Sequence, residues 1–562
     1  MRKPRFVPPL LCLGIAGVFL WVGARWILDR RVGGLLDVDE SSYFSMAIVD
    51  YIELSRNGIL PWLTSIAGRI HAPLTTTVAT LVYAATGPEL HYGFFIPLTF
   101  GAVTVLAVYL LVAAISGPYA GLSAAALTAT IPLLISYSRH FHFAVPATAM
   151  LALALLAAVK SERFSRTGWS LAFGVFLGLV PLARTMAIAF IPGVLLGAVL
   201  GIAASDGVAR RLLRLAGGLA LALLTAATWL AFAFEGVAGY LIGWGYGARA
   251  LDYGQAVMLF SMATVQRALS LVTTALFLPH YAVILAGLAA GLVVVLRAWR
   301  QQGFGAIRAA ARSPLLMLAL TVLCGLTALV SSPNTGTAFV LPLLPPLIAL
   351  AVCLAWSASS AWVFRAAVFI VCMSVAAGVA APYFDTHTIQ EKVSVVPVIG
   401  FIPIYSTKGQ IDVYIDSSSA KDGRDKAVAA RWLGLIGRIN AAISRQADGA
   451  ATAVGFKHDI LNPSALGFDY LLTTQRQREF TPPDPVASGN TVQGYRDWLT
   501  AGAAKHVVFV LTSRGTEGEY APFVDVEAVE QAARELGFQA IDTWSMPNGR
   551  PVTLWRRSGA RG

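Results

Sequence analysis

Apolar positions in the first 380 residues come in long blocks, and short clusters of charge punctuate them. The first block follows the basic start "MRKPR" and ends before "DRR". About twenty apolar residues rising 1.5 Å each match the roughly 30 Å hydrocarbon core of a bilayer. No small-residue cleavage site closes the block, so an uncleaved first helix with a cytoplasmic N-terminus is expected. Further spans are expected at roughly 93–116, 119–137, 144–160, 169–184, 186–204, 212–234, 267–296, 314–331, 337–357 and 361–381. That makes about eleven. The shorter, Thr-rich "PLTTTVATLVYAATG" (73–87) reads as a helix lying at the interface, with a full span as the competing assignment.

From about residue 382 the pattern turns polar and mixed. "HVVFVLTS" (506–513) has the character of a buried strand, and "EAVEQAARELGF" (527–538) has helical spacing. "AIDTWSMPNGRPVTLWRR" reads as a hairpin turning at "PNGR". The expected architecture is a polytopic α-helical membrane domain, 1–381, with a first exoplasmic loop at 30–92. A soluble exoplasmic α/β or α+β domain, 382–562, follows it.

Composition agrees with that division. The chain is 56% hydrophobic and only 13% charged, about half the charge of a soluble globular protein. Its net charge of +12 falls where a membrane protein concentrates it, in short loops on the cytoplasmic side. Lys160, Arg163 and Arg166 mark one such loop, Arg210, Arg211 and Arg214 the next, and Arg297, Arg300, Arg308 and Arg312 a third. Nucleic-acid binding is therefore not implied by the basic balance. The four cysteines, Cys12, Cys324, Cys353 and Cys372, lie inside apolar runs and suggest neither a disulfide framework nor a metal site. With the N-terminus inside, an odd number of spans puts the C-terminal domain outside.

The same topology puts an acidic cluster, Asp37, Asp39 and Glu40, just beyond the first helix on the outer face. A solvated loop accounts for one carboxylate there, but anionic headgroups repel three. Such a cluster suits a general base or an oxygen-ligand cation site. No Walker A loop, H-E-x-x-H or G-x-S-x-G motif accompanies it.

The order of residues around the cluster is more specific. "DESSYFSMAIVDYIELSRNGILPWLTSIAGRIHAPL" (39–74) resembles the first exoplasmic loop of the family C (GT-C) glycosyltransferases, especially the lipid A aminoarabinose transferase and protein O-mannosyltransferase group. The pattern there is D-E-x-x-Y, an apolar helix, a turn with Pro, and h-K-P-P-L. Asp39, Glu40 and Tyr43 match the first part, Pro61 and Trp62 the turn, and His71, Pro73 and Leu74 the last. "ISYSRHFHFAVPATAMLALALL" (135–156), "GLVPLARTMAI" (178–188) and "SSPNTGTAFVLPLLPPLIAL" (331–350) are similar to later segments of that group in the same order. The likeness covers about 350 residues. Ala72 replaces the usual lysine, "RHFHF" lacks the expected acid, and Ala338 and Phe339 stand where Arg-Tyr is usual.

The resemblance implies Asp39, with Glu40, as the catalytic carboxylate, and a polyprenyl phosphate sugar as donor. The acceptor would be a glycolipid, cell-wall glycan or protein on the outer face of the cytoplasmic membrane. Donor phosphate and substrate would meet Tyr43, His71, Arg139, His140 and Arg184. A fork of guanidinium donors suits a phosphate, and an arginine set among apolar runs, as Arg184 is, normally faces a cavity or snorkels. A divalent cation on Asp39, Glu40 and His140 is the candidate metal site, while His142 reads more readily as an interfacial anchor. Arg249, Asp252 and Tyr253 read as an outer loop anchored by aromatics. Two rival functions share this composition: a transporter or flippase of a lipid-linked sugar, and a non-enzymatic membrane-anchored binding or assembly protein. A transporter is expected to carry ionisable groups at mid-span in paired halves, and no internal repeat is visible.

Overall fold

A computed structural model describes residues 6–247, 250, 260–334, 336–380, 393–397, 401–406, 426–520 and 522–559. The expected boundary at 381/382 and the loop residues Arg249, Asp252 and Tyr253 lie outside the described residues. The chain divides into two compact units, each built from three segments. One, the membrane unit, comprises Met1–Trp26, Asn57–Val82 and Tyr92–Ile411. The other, the terminal unit, comprises Ile27–Arg56, Tyr83–His91 and Asp412–Gly562.

Among the described residues, eight helices are long and apolar enough to cross a bilayer. They are Val7–Arg31, Leu90–Ser116, Thr185–Ala203, Val208–Gly245, Leu278–Gln302, Pro314–Ser331, Ala338–Ser357 and Trp362–Ala380. Leu74–Thr86, Ala144–Lys160 and Thr167–Ala183 are apolar and shorter. Two expected spans differ. The 119–137 segment is two helices, Pro118–Ala129 and Pro132–Tyr137, because Pro132 lacks the N–H that a continuous helix needs. The 267–296 segment is divided between Met262–Ala275 and Leu278–Gln302. Leu276 and Phe277 are extended at that break, and Pro279 opens the second helix, where its missing N–H costs nothing.

In water these helices would be unstable, since Leu213, Leu223, Phe232 and Leu292 are all 60% exposed or more. In lipid, such side chains need no protein partner, and association relies on close backbone approach instead. Thr167–Ala183 packs on Val208–Gly245 in this way. A Cβ at Gly174 would come within 2.1 Å of the Gly218 carbonyl oxygen, and one at Gly178 within 2.5 Å of that of Ala222.

The sheets occupy the C-terminal part of the chain. β1 (Val393–Pro397) and β2 (Phe401–Ser406) form an antiparallel pair in the membrane unit. The terminal unit has a five-stranded mixed sheet in the order β4-β3-β5-β7-β6. Its strands are β3 (Thr452–Val454), β4 (Phe480–Thr481), β5 (Phe509–Thr512), β6 (Phe538–Ser545) and β7 (Pro551–Arg557). β3 runs parallel to β4 and β5, and β7 runs antiparallel to β5 and β6. The apolar run "HVVFVLTS" supplies β5, the central and fully buried strand. The hairpin at "PNGR" forms as expected, with Gly549 at φ 88°, a conformation glycine adopts without strain. The helices Lys426–Gln446, Pro463–Thr474 and Val526–Glu535 accompany the sheet, around a core that includes Trp432, Ile439, Leu511 and Leu554.

Candidate active site

The acidic cluster starts the helix Val38–Asn57. The backbone N–H of Glu40 donates to Asp37 Oδ1 at 2.7 Å, and the N–H of Asp37 donates to Glu40 Oε2 at 3.3 Å. This reciprocal arrangement is a capping box with aspartate in the usual serine position. The Glu40 carboxylate also forms a buried ion pair with Arg31, whose guanidinium donates to the Leu35 carbonyl as well. Two of the three acids thus build the helix start.

Asp39 takes no part in that box. It sits in the first turn, where the helix macrodipole favours negative charge. The buried positions of the helix are Glu40, Ser41, Phe44, Ala47, Ile48 and Asp50, whereas Asp39, Tyr43 and Met46 are half-buried. Asp39 and Tyr43 are four apart and so share a face. Sequence and fold therefore separate two neighbouring acids, Glu40 inward and Asp39 toward the more open side.

The other candidates belong to the membrane unit. The "SRHFHF" segment, 138–143, is buried throughout. The Arg139 guanidinium lies 4.8 Å from the ring centre of Trp26. It also borders an apolar cavity of about 460 Å³, whose walls include Leu11, Phe19, Leu98, Ile135 and Met373. His140 Nδ1 is 2.7 Å from the Ser136 carbonyl oxygen. A carbonyl only accepts, so Nδ1 carries the proton and Nε2 has the lone pair. His142 Nδ1 accepts from the Ala144 N–H, and its ring packs edge-on to Tyr137.

Arg184 ends the helix Thr167–Ala183 and lies 4.6 Å from the ring centre of Phe339. It lines a second cavity, of about 200 Å³, together with Tyr246, Ser332 and Asn334. The two arginines assigned to one phosphate by sequence thus border different cavities.

His71 packs edge-on to Tyr240, with ring centres 5.7 Å apart. Burial, and then the Arg69 charge, lower its pKa from the ordinary value, which favours the uncharged imidazole at neutral pH. Its neighbour Ala72 is buried in an apolar cluster with Leu182, Trp229, Ala233 and Val237. A lysine there would put an ammonium among hydrocarbon, which accounts for the alanine in physical terms.

Among the described residues no group of three or more His, Cys, Asp or Glu side chains is arranged to hold a metal ion. The acids around Asp39 are instead occupied by the capping box and Arg31. This donor set does not fit a preformed cation site.

Sequence reasoning missed several partners. Arg31 read only as the basic end of the first helix, although a salt-bridging role for a residue beside an acidic cluster was a signal available in "DRR". Trp26, under Arg139, carried no signal beyond being aromatic, and Phe339, under Arg184, read only as a departure from the usual Arg-Tyr. His280, buried in the membrane unit, lies 3.0 Å from Thr130 Oγ1 at the wall of the larger cavity and donates to the Leu127 carbonyl.

Residues 70–232 match the family model for dolichyl-phosphate-mannose-protein mannosyltransferase. No curated protein matches the chain by sequence. Among solved structures, ArnT from Cupriavidus metallidurans in its apo state is similar at 14% identity and a TM-score of 0.53, over 97% of this chain and 97% of that one. The same protein bound to undecaprenyl phosphate gives 14% identity and a TM-score of 0.52, over 98% of each chain. The fold is therefore that of the GT-C membrane proteins, as the loop motifs of the sequence implied.

Proposed function

We propose that the chain is a membrane glycosyltransferase that moves a sugar from a polyprenyl phosphate carrier to an acceptor, with Asp39 as the catalytic carboxylate. The observation that carries this reading is the apolar cavity of about 460 Å³ bordered by the buried Arg139. An apolar wall ending at a single guanidinium matches an amphiphile with a hydrocarbon tail and a phosphate head. The match to a mannosyltransferase family that uses a dolichyl phosphate sugar, and the undecaprenyl phosphate bound by a protein of the same fold, support the same class of donor.

In this mechanism the acceptor hydroxyl or amine gives its proton to Asp39 and attacks the anomeric carbon. The bond from that carbon to the phosphate oxygen breaks, and the lipid phosphate leaves with the bonding pair. One direct displacement inverts the anomeric centre. Arg139 neutralises the charge that builds on the phosphate, and His140, its neighbour in sequence, and His71 are the further hydrogen-bonding candidates. Arg184, with Ser332 and Asn334, holds a polar part of a substrate in the second cavity. Tyr43, on the Asp39 face, orients the acceptor. Glu40 serves the helix start rather than the chemistry. General-base help contributes roughly 10²–10⁴-fold, and positioning with phosphate neutralisation supplies the rest.

The loop arginines favour a multi-pass protein of the cytoplasmic membrane with its N-terminus inside and the terminal unit outside. Nucleotide sugars are made inside, so an outward enzyme needs a donor carried across on a lipid.

Mass spectrometry of glycolipids, cell-wall glycans and glycoproteins from a deletion strain tests the reading. Accumulated lipid phosphate sugar and one missing decoration are expected. Wild-type protein should restore the decoration, and an equally expressed Asp39→Asn variant should not. Restoration by Asp39→Asn would overturn the assignment of the carboxylate. A lipid-linked sugar trapped on the cytoplasmic side would point to a flippase instead.

A further inference from the structure

The helix that carries Asp39 lies far from residue 412 in sequence, yet it belongs to the same compact unit as the terminal sheet. Leu35, two residues before the capping box, is buried in the core that holds Trp432, Ile439 and Leu511. Phe44, fully buried, meets Phe468 of the helix Pro463–Thr474 with ring centres 6.1 Å apart. At the far end Arg56 Nη2 donates to Gln475 Oε1 at 2.7 Å. The helix is therefore held before, along and after the turn that bears Asp39.

The helix Pro463–Thr474 is itself fixed. Asn462 caps it by accepting from the Ala465 N–H, and Asn440 Nδ2 donates to the Leu466 carbonyl and to Asp469 Oδ2. Helical geometry then sets the azimuth of Asp39. Five residues separate it from Phe44, so at about 100° per residue the two side chains point about 140° apart. Seating Phe44 on Phe468 turns Asp39 away from that contact without covering it.

We propose that the terminal unit is the positioning frame of the Asp39 carboxylate, and that Leu35, Phe44 and Phe468 are its positioning residues. This rests on the transferase reading above. It gives the C-terminal residues a task in the reaction: they determine where the base stands. Shifting a catalytic group by about 1 Å can cost on the order of 100-fold in rate. Loosening the Phe44–Phe468 contact should accordingly lower kcat while leaving donor binding alone, because neither ring lines the Arg139 cavity.

The experiment uses the full-length protein in lipid nanodiscs with a polyprenyl phosphate sugar extracted from the deletion strain. Phe468→Ala should lower kcat about 10-fold or more with the donor KM unchanged, and Phe468→Leu should recover most of the loss. Arg56→Met, which removes an exposed contact and leaves the core intact, should show a smaller fall of the same kind. In an Asp39→Asn background, Phe468→Ala should cause little further loss, since a misplaced base and a missing base are one defect. If Asp39→Asn is impaired while Phe468→Ala and Arg56→Met both keep full kcat, the positioning role is overturned and the transferase reading stands. Equal losses from Phe468→Ala with and without Asp39 would also overturn it. Full activity of Asp39→Asn would remove the transferase reading itself.

Discussion

The two units give their arginines different partners. In the membrane unit Arg139 and Arg184 lie over the rings of Trp26 and Phe339. In the terminal unit Arg31 and Arg550 are paired with the buried carboxylates of Glu40 and Glu519, and Arg550 also has the Phe456 ring centre 5.8 Å away. A ring attracts a cation and leaves its charge in place, whereas a carboxylate cancels it. In the membrane unit each of the two guanidiniums also borders a cavity. The terminal unit converts opposite charges into fixed geometry: Arg31 anchors a helix start, and Arg550 ties down the loop after β5 through Ser513, Arg514, Glu517 and Glu519.

The largest effect should come from breaking a pair in the terminal unit. Glu40→Gln leaves the Arg31 charge buried, and loss of one partner of such a pair costs about 3–5 kcal/mol. Thermal unfolding of the purified protein should show it, and the Arg31→Met/Glu40→Met double variant should recover part of the loss. If the single variant unfolds like wild type, the pair is not a structural anchor.

Acid should expose a second cost in the same unit. His458 is fully buried, and its Nδ1 accepts from the N–H groups of Ile460 and Leu461. Burial, and then the Arg550 charge, lower its pKa from 6.5 to about 4. The unfolded chain therefore takes up a proton between those values while the folded unit does not. Stability is complete above about pH 6.5, falls as pH drops toward 4, and is lower by about 3 kcal/mol at the end of that window. His458→Asn should flatten this part of the pH–stability curve, and an unchanged slope would count against the assignment.

The membrane unit should respond through binding more than through stability. Arg139→Gln is expected to weaken donor lipid binding by about 10- to 100-fold, the 1.5–3 kcal/mol of a hydrogen bond to a charged group. Arg139→Lys should keep part of the affinity. Titration with polyprenyl phosphate measures both, and equal affinity in all three proteins would remove Arg139 from the phosphate site.

A smaller effect separates backbone packing from charge. Gly218→Ala would press a methyl to 2.6 Å from the Ser170 carbonyl oxygen, while Gly217→Ala meets open space. Overpacking of this kind costs about 1–3 kcal/mol. The first variant should lower the unfolding temperature, and its neighbour should leave it unchanged or raise it.

Local signals were legible in the sequence and distant ones were not. Apolar length found most of the spans, but proline chemistry at Pro132 and Pro279 divided two of them. "PNGR" specified its hairpin because a turn needs only its own residues. The spacing of Asp37 and Glu40 carried two meanings, an acidic site and a capping box, and backbone geometry selects the second for those two residues. The pairing of Leu35 with a core that begins near residue 429 had no local trace. Neither did the separation of Arg139 and Arg184 into different cavities, since each follows a similar apolar run.

The placement of Leu35 also bears on how the chain is made. The helix with Asp39 is complete by residue 57, and the described helix that opens the C-terminal segment of the same unit begins at Lys426. At about 5–20 residues per second, the ribosome needs roughly 20–75 s to reach it. For that interval Leu35 and Phe44 wait without their eventual neighbours, so nascent chains and C-terminal truncations should depend on chaperone protection at this early loop.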